Sequence, residues 1–284
     1  MASIAELEQL LSRVEYRAEY DAVEGINEFR KLLETDPKGE VLRFLSRAFT
    51  KLEGKVKGGI AFVLTEHYRK NGMISNFQDL FASGDENVRE SVLNALWGEP
   101  GESPEIGRAI VEMAITAATD PSPGVRTEIS YVLQNQSGWG VDVAAGIDAL
   151  KALLKDADAR VKQQAAYAVG NLAKRKYDLS NCIAQLRRNV KHSDVHVRES
   201  SAWALWQLSR YKHNIAEAVP ELVWLCADKE DYDKPRKNAA SALLQHCKKS
   251  SQNCQAVRAH AKETTLDTGR KEIRKFLSDL ETIE

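Results

Sequence analysis

The chain has 284 residues, 43% of them hydrophobic and 29% charged, with a formal net charge of −1 at pH 7. This balance excludes a disordered chain, and no run approaches the roughly 18–20 apolar residues of a membrane helix. A charge so near zero also argues against general nucleic-acid binding. The halves differ, however. Residues 1–142 hold 15 Lys+Arg and 23 Asp+Glu, a balance of −8, and residues 143–284 hold 25 and 18, a balance of +7.

The opening MASIAELEQLLSRVEYRAEY is charged throughout and reads as a surface helix, not a secretory signal. A cytoplasmic location, or a nuclear one, is expected. Cys182, Cys226, Cys247 and Cys254 show no CxxC spacing and fall in or beside predicted helices, as reduced, buried thiols would. The sequon at Asn135 matters only in a secreted protein.

In chain order, helices are predicted over 4–19 and 22–34, and residues 1–52 are expected to cap the array. A weak repeat opens at Val56-Lys57 and runs through Ile60, Val63 and Leu64, its start loosened by Gly58-Gly59. Five stronger copies follow, beginning Val88-Arg89, Val125-Arg126, Val161-Lys162, Val197-Arg198 and Pro235-Arg236, at spacings of 37, 36, 36 and 38 residues. After each start, apolar or small residues recur at offsets 4, 7, 8 and usually 11, one buried helix face. Examples are Ala165, Ala168, Val169 and Leu172, then Ser201, Ala204, Leu205 and Leu208.

An Asp precedes each copy: Asp85, Asp120, Asp156 or Asp158, Asp194 and Asp233. Its carboxylate is placed to accept free N–H groups at the helix start. The second position is always basic, within reach of the Asp of its own or the adjacent repeat. Between copies lie second helices, such as 181–191 and 215–227, the latter expected to kink at Pro220. Ser137-Gly138-Trp139-Gly140 reads as a loop. The core repeats span 53–250. A C-terminal capping repeat, 251–284, is introduced by Asp267–Arg270 and continues through Ile273 and Leu277. Residues 1–284 thus form one all-α array of seven or eight helix pairs.

These copies resemble the HEAT repeat family over residues 53–280. AAYAVGNLA (165–173) and SAWALWQLS (201–209) are similar to the third helix of an armadillo repeat. The resemblance implies a right-handed α-α superhelix. In armadillo repeats a Trp and, four residues on, an Asn line a concave groove that holds extended peptides. The period here is shorter than a three-helix armadillo unit, and the groove motif covers only the middle repeats.

Offset 6 carries Asn94, Tyr131, Tyr167, Trp203 and Ser241, offset 10 Gly98, Asn135, Asn171, Gln207 and Gln245, and offset 2 Glu90, Thr127, Gln163, Glu199 and Lys237. Four residues apart, these make one stripe beside the buried face. Aromatics followed by carboxamides suit an extended peptide, whose backbone the amides would both donate to and accept from. Rings packed between repeats with amides bridging turns fit the same pattern. Trp97 and Trp206, at offset 9, suit the core. Trp139 suits either an interface or a tuck beneath the next repeat. Offset 13 ends in Lys174, Arg210 and Lys248, a basic margin that either complements helix dipoles or favours a partner that is acidic, carries a free C-terminus or is phosphorylated.

Enzymes of this architecture have recognisable residues. The deoxyhypusine hydroxylase family uses repeated His-Glu pairs, and none of His67, His192, His196, His213, His246 or His260 is followed by Glu. His192 and His196 straddle the turn at Asp194. DNA glycosylases of HEAT type need a basic groove and a catalytic Asp, but Glu90 and Glu199 lie on this stripe. Nothing singles out the bilin site of a phycobilin lyase. The expected function is therefore a non-enzymatic scaffold binding a protein or peptide, without metal or cofactor, nucleic acid or membrane, acting as a monomer or in a hetero-complex. A HEAT-like enzyme subunit and an immunity protein blocking one folded target are the alternatives.

Overall fold

A computed structural model describes residues 3–16, 19–100, 103–229 and 232–283, which hold sixteen α-helices and no strand. They fall into two compact units, Met1–Val143 and Ala144–Glu284. The boundary coincides with the change in charge sign along the chain.

The first unit contains α1 (Ile4–Tyr16), α2 (Glu19–Glu34), α3 (Glu40–Phe49), α4 (Gly54–Lys70), α5 (Ile74–Ser83), α6 (Glu86–Ala95), α7 (Pro104–Thr116) and α8 (Pro123–Gly138). Helices α2, α4, α6 and α8 pack in succession as one layer, and α3, α5 and α7 each cover the helix that follows. The first predicted helix reached position 19; positions 17 and 18 lie outside the described residues. Helix α3 was not foreseen.

The second unit repeats the plan with α9 (Ile147–Leu153), α10 (Ala159–Leu172), α11 (Ser180–Asn189), α12 (Val195–Arg210), α13 (Val219–Cys226), α14 (Lys234–Cys247), α15 (Ser251–Glu263) and α16 (Lys271–Thr282). Here α10, α12, α14 and α16 pack in succession as one layer, while α9, α11 and α13 cover α10, α12 and α14 in turn.

The repeat pattern explains this packing. Val88, Val125, Val161 and Val197 are wholly buried, as are Val92, Ile129, Ala165 and Ala239 four residues on and Leu96, Leu133, Val169, Leu205 and Leu243 at offset 8. Each large aliphatic so placed contributes about 1.5–3 kcal/mol over exposure. Small residues at offset 7, Ala168 and Ala204 among them, keep neighbouring helices close.

The Asp–basic element has two parts. Asp85, Asp158 and Asp194 cap α6, α10 and α12, accepting from backbone N–H groups at 2.8–3.2 Å. Asp120 and Asp233 do not cap, contrary to expectation. Pro123 and Pro235 remove a first-turn N–H from each helix. Asp120 instead accepts from Ser122 N–H at 2.9 Å and from Arg89 at 2.6 and 3.0 Å. The basic residue bridges repeats: Arg89 to Asp120, Arg198 to Asp228 at 3.1 Å, and Arg236 to Glu272 at 2.8 Å. Each of these arginines also donates to a carbonyl of the turn before its helix, Gly84, His192 and Asp228 respectively.

Four other local expectations are corrected. Gly58 lies inside α4, where an added Cβ would meet Ser91 Oγ at 2.8 Å and the Asn87 carbonyl at 3.0 Å, so it lets α4 and α6 approach. Pro220 stands in the first turn of α13, after a 3-10 turn at Ala216–Ala218, and kinks nothing because no helical N–H is lost there. Ser137-Gly138 closes α8 rather than opening a loop, and the last helix buries Phe276 and Leu280 beside Ile273, not Leu277.

Candidate partner-binding site

Of the predicted contact residues, Tyr131 and Asn135 stand in the first unit and the others in the second. In the second unit, α10 and α12 pack side by side and bring Tyr167 and Trp203 together, with ring centroids 5.4 Å apart at 63°. The Trp203 ring lies over Gly170, where a Cβ would come within 2.3 Å of it. Both rings are half-buried. They are therefore packed against each other and still accessible.

Glu199, one turn before Trp203, is the polar centre. Its side chain is only 12% exposed; it accepts from Tyr232 Oη at 2.7 Å, with Lys234 Nζ at 3.9 Å and His196 Nδ1 at 3.8 Å. Burial, together with the Glu199 charge, raises the pKa of Tyr167 above its ordinary value, and burial and the bond to Glu199 do the same for Tyr232. Tyr232 was missed by sequence reasoning, since it lies in an acidic loop outside the repeat register; its one signal was a lone aromatic amid charges.

Of the carboxamides, Gln207 and Gln245 are half-buried and have no side-chain hydrogen bond among the described residues. Their donors and acceptors remain available at the stripe. Lys174, Arg210 and Lys248 are exposed at the C-terminal ends of α10, α12 and α14.

In the first unit the geometry differs. Tyr131 meets Trp97, at offset 9, with centroids 4.5 Å apart and a 35° tilt, and Asn135 Nδ2 donates to the Tyr131 carbonyl of its own helix at 2.9 Å. Asn135 thus spends its amide N–H on the backbone. Trp139 is 54% exposed while its Nε1 donates to the Trp97 carbonyl at 3.1 Å, so the ring is both anchored and presented. Sequence reasoning passed over Phe62, at offset 6 from Val56, with Arg30 4.8 Å above its ring.

Among the described residues no group of three or more His, Cys, Asp or Glu is arranged to hold a metal ion, and no helix is long and apolar enough to cross a membrane. His192 Nδ1 accepts from the Asp194 N–H at 3.0 Å and belongs to the turn.

Residues 147–244 match the family of HEAT repeats. Among solved structures, an engineered protein from a structural-genomics programme is 19% identical and superposes with a TM-score of 0.59, over 96% of this chain and 78% of its own. A second engineered protein is 20% identical with a TM-score of 0.57, over 74% and 96%. A designed armadillo repeat protein in complex with the peptide (KR)4 is 16% identical with a TM-score of 0.50, over 84% and 99%. No curated protein matches the chain in sequence. Likenesses at these identities bear on the fold.

Proposed function

We propose that this chain, a HEAT/armadillo-like repeat protein, is a non-enzymatic scaffold that holds an extended partner segment along the stripe of its successive repeat helices. One observation carries the reading. On adjacent helices, the half-buried Tyr167–Trp203 pair stands beside amides, Gln207 and Gln245, whose hydrogen-bonding groups are unused. An extended backbone needs one donor and one acceptor per residue, which a carboxamide supplies, while ring edges sort the side chains.

The designed armadillo neighbour is in complex with a basic peptide. Here the stripe is bordered by Lys174, Arg210 and Lys248, which turns the preference towards an acidic segment. The scaffold acts in the cytoplasm or nucleus, alone or as a subunit of a hetero-complex, without cofactor.

A pull-down from lysate tests this. Wild type is compared with Gln207→Ala/Gln245→Ala and with Tyr167→Ala/Trp203→Ala, after matched thermal melts. The expected result is a partner lost from both variants. Retention of every partner by both would sink the proposal.

A further inference from the structure

We infer that the partner segment is acidic, adopts polyproline II conformation, and presents a carboxylate at every third residue to the C-terminal ends of α10, α12 and α14. This rests on the scaffold reading and adds the chemistry and spacing of what is held.

The three ends form one continuous basic ridge. The His213 ring Nε2 lies 3.2 Å from the Ala173 carbonyl, and Lys249 Nζ donates to the His213 carbonyl at 2.6 Å, which ties each end to the next. Lys174 and Lys176 are exposed at the first, Arg210 and Lys212 at the second, Lys248 and Lys249 at the third. Over 172–180, 208–216 and 246–254 the lone carboxylate is Asp178, and it accepts from Ser180 N–H. Lys174, Lys176, Lys212 and Lys248 have no partner among the described residues, and Arg210 has only the Tyr211 ring, 5.7 Å away. One cation per helix end would complement the dipole. Two per end, in a chain of net charge −1, leave positive charge for an outside anion.

Spacing selects the anion. Packed helices lie about 8–10 Å apart, so successive ends repeat at that distance. Polyproline II has about three residues per turn and rises about 3.1 Å per residue, which puts every third side chain on one face at about 9.3 Å. In a β-strand, by contrast, side chains alternate faces, so every third one points away. The ridge also begins three residues beyond Gln207 and Gln245, one helical step, so a backbone on those amides carries its acidic side chains over the cations. A duplex presents phosphates at about 3.4 Å per strand and leaves that register unread.

The test is fluorescence anisotropy with a labelled dodecapeptide bearing Glu at every third position with Pro between, beside an isomer whose Glu residues form one block. The spaced peptide should bind at least about tenfold tighter, more weakly as salt rises. Lys174→Gln/Arg210→Gln/Lys248→Gln, with an unchanged melt, should lose that preference. Equal binding of the isomers, no binding by either, or displacement of the spaced peptide by an equal charge of duplex DNA would each overturn the inference. The two readings separate cleanly. Spaced-peptide binding that survives Gln207→Ala/Gln245→Ala upholds the ridge and removes the stripe. Stripe variants that lose their lysate partner while the isomers bind alike do the reverse.

Discussion

Lys162 Nζ lies 3.0 Å from His192 Nε2, at the position where the neighbouring repeat junctions place an arginine against a carboxylate. The ring already accepts the Asp194 N–H at Nδ1, so a neutral His192 carries its proton on Nε2 and turns it towards an ammonium. This is the weakest link of the ladder. His192→Asp restores the Asp found at 120 and 156, and should raise unfolding stability by about 0.5–1 kcal/mol, read as a higher urea midpoint. An unchanged or lower midpoint would show that the Lys–His contact is not a defect.

The same junction predicts a pH dependence. Burial, and then Lys162, lowers the pKa of His192, with Arg198 adding to the effect and Asp194 opposing it; burial and Lys249 lower that of His246. Both rings therefore bind protons more readily unfolded than folded. Their contribution is complete above the ordinary histidine value of about 6.5, and is lost as pH falls through the lower folded values. Urea melts between about pH 7.5 and pH 5.5 should show stability falling, and falling less in His192→Asp.

Much of this architecture was legible because stacking makes the same demand every 36–38 residues. Positions such as Val161, Ala165 and Val169 had to be buried in every copy, and the Asp–Arg element had to face the next repeat. What escaped was whatever the repeat does not specify. Helix α3 lies outside the register, and Tyr232 reaches Glu199 from a loop. Gly58 serves a contact between α4 and α6 that no local pattern announces. At the stripe, spacing alone left groove and packing open; Tyr167 and Trp203 do pack on each other and stay half-buried, while the groove belongs to the proposed function.

Gly170 is the position on which the aromatic pair depends. A Cβ there would lie 2.3 Å from the Trp203 ring and 3.1 Å from the Ala204 Cα, and only the ring has room to move. Gly170→Ala should therefore cost about 1–3 kcal/mol despite its better helix propensity, and should shift the tryptophan emission. Gly138→Ala, with nothing within 4 Å, is the control and should be neutral or slightly stabilising. Equal effects of the two would remove the close approach as an explanation.

The thiols are predicted to be silent. Burial pushes Cys182, Cys226 and Cys247 up to about 12, and Cys254 is equally enclosed. Since the thiolate is the nucleophile, none of the four should react with a thiol reagent in native protein near neutral pH, and all should react in denaturant. Rapid labelling of any one would mean that its helix opens locally.

Arg236 is 1% exposed, with Nε 2.8 Å from Glu272 and Nη1 3.2 Å from the Asp228 carbonyl. Arg236→Ala leaves the 13%-exposed Glu272 side chain without its partner and should cost about 3–5 kcal/mol, whereas Arg236→Met/Glu272→Met should recover most of the loss. Acid offers an independent check. Burial pushes the Glu272 pKa up, but the Arg236 hydrogen bond and charge outweigh it, and the net shift is downward. That contribution is present above the ordinary carboxylate range and disappears as pH falls through the lower folded value. In Arg236→Ala both downward contributions of the arginine are gone and only a backbone hydrogen bond still opposes burial. The pKa of Glu272 therefore rises from its wild-type position, and mild acid should relieve rather than worsen the defect. Chemical melts of both proteins between about pH 6 and pH 4 separate the cases. If the stability difference failed to narrow in acid, the cost would lie in lost side-chain packing and not in the stranded charge.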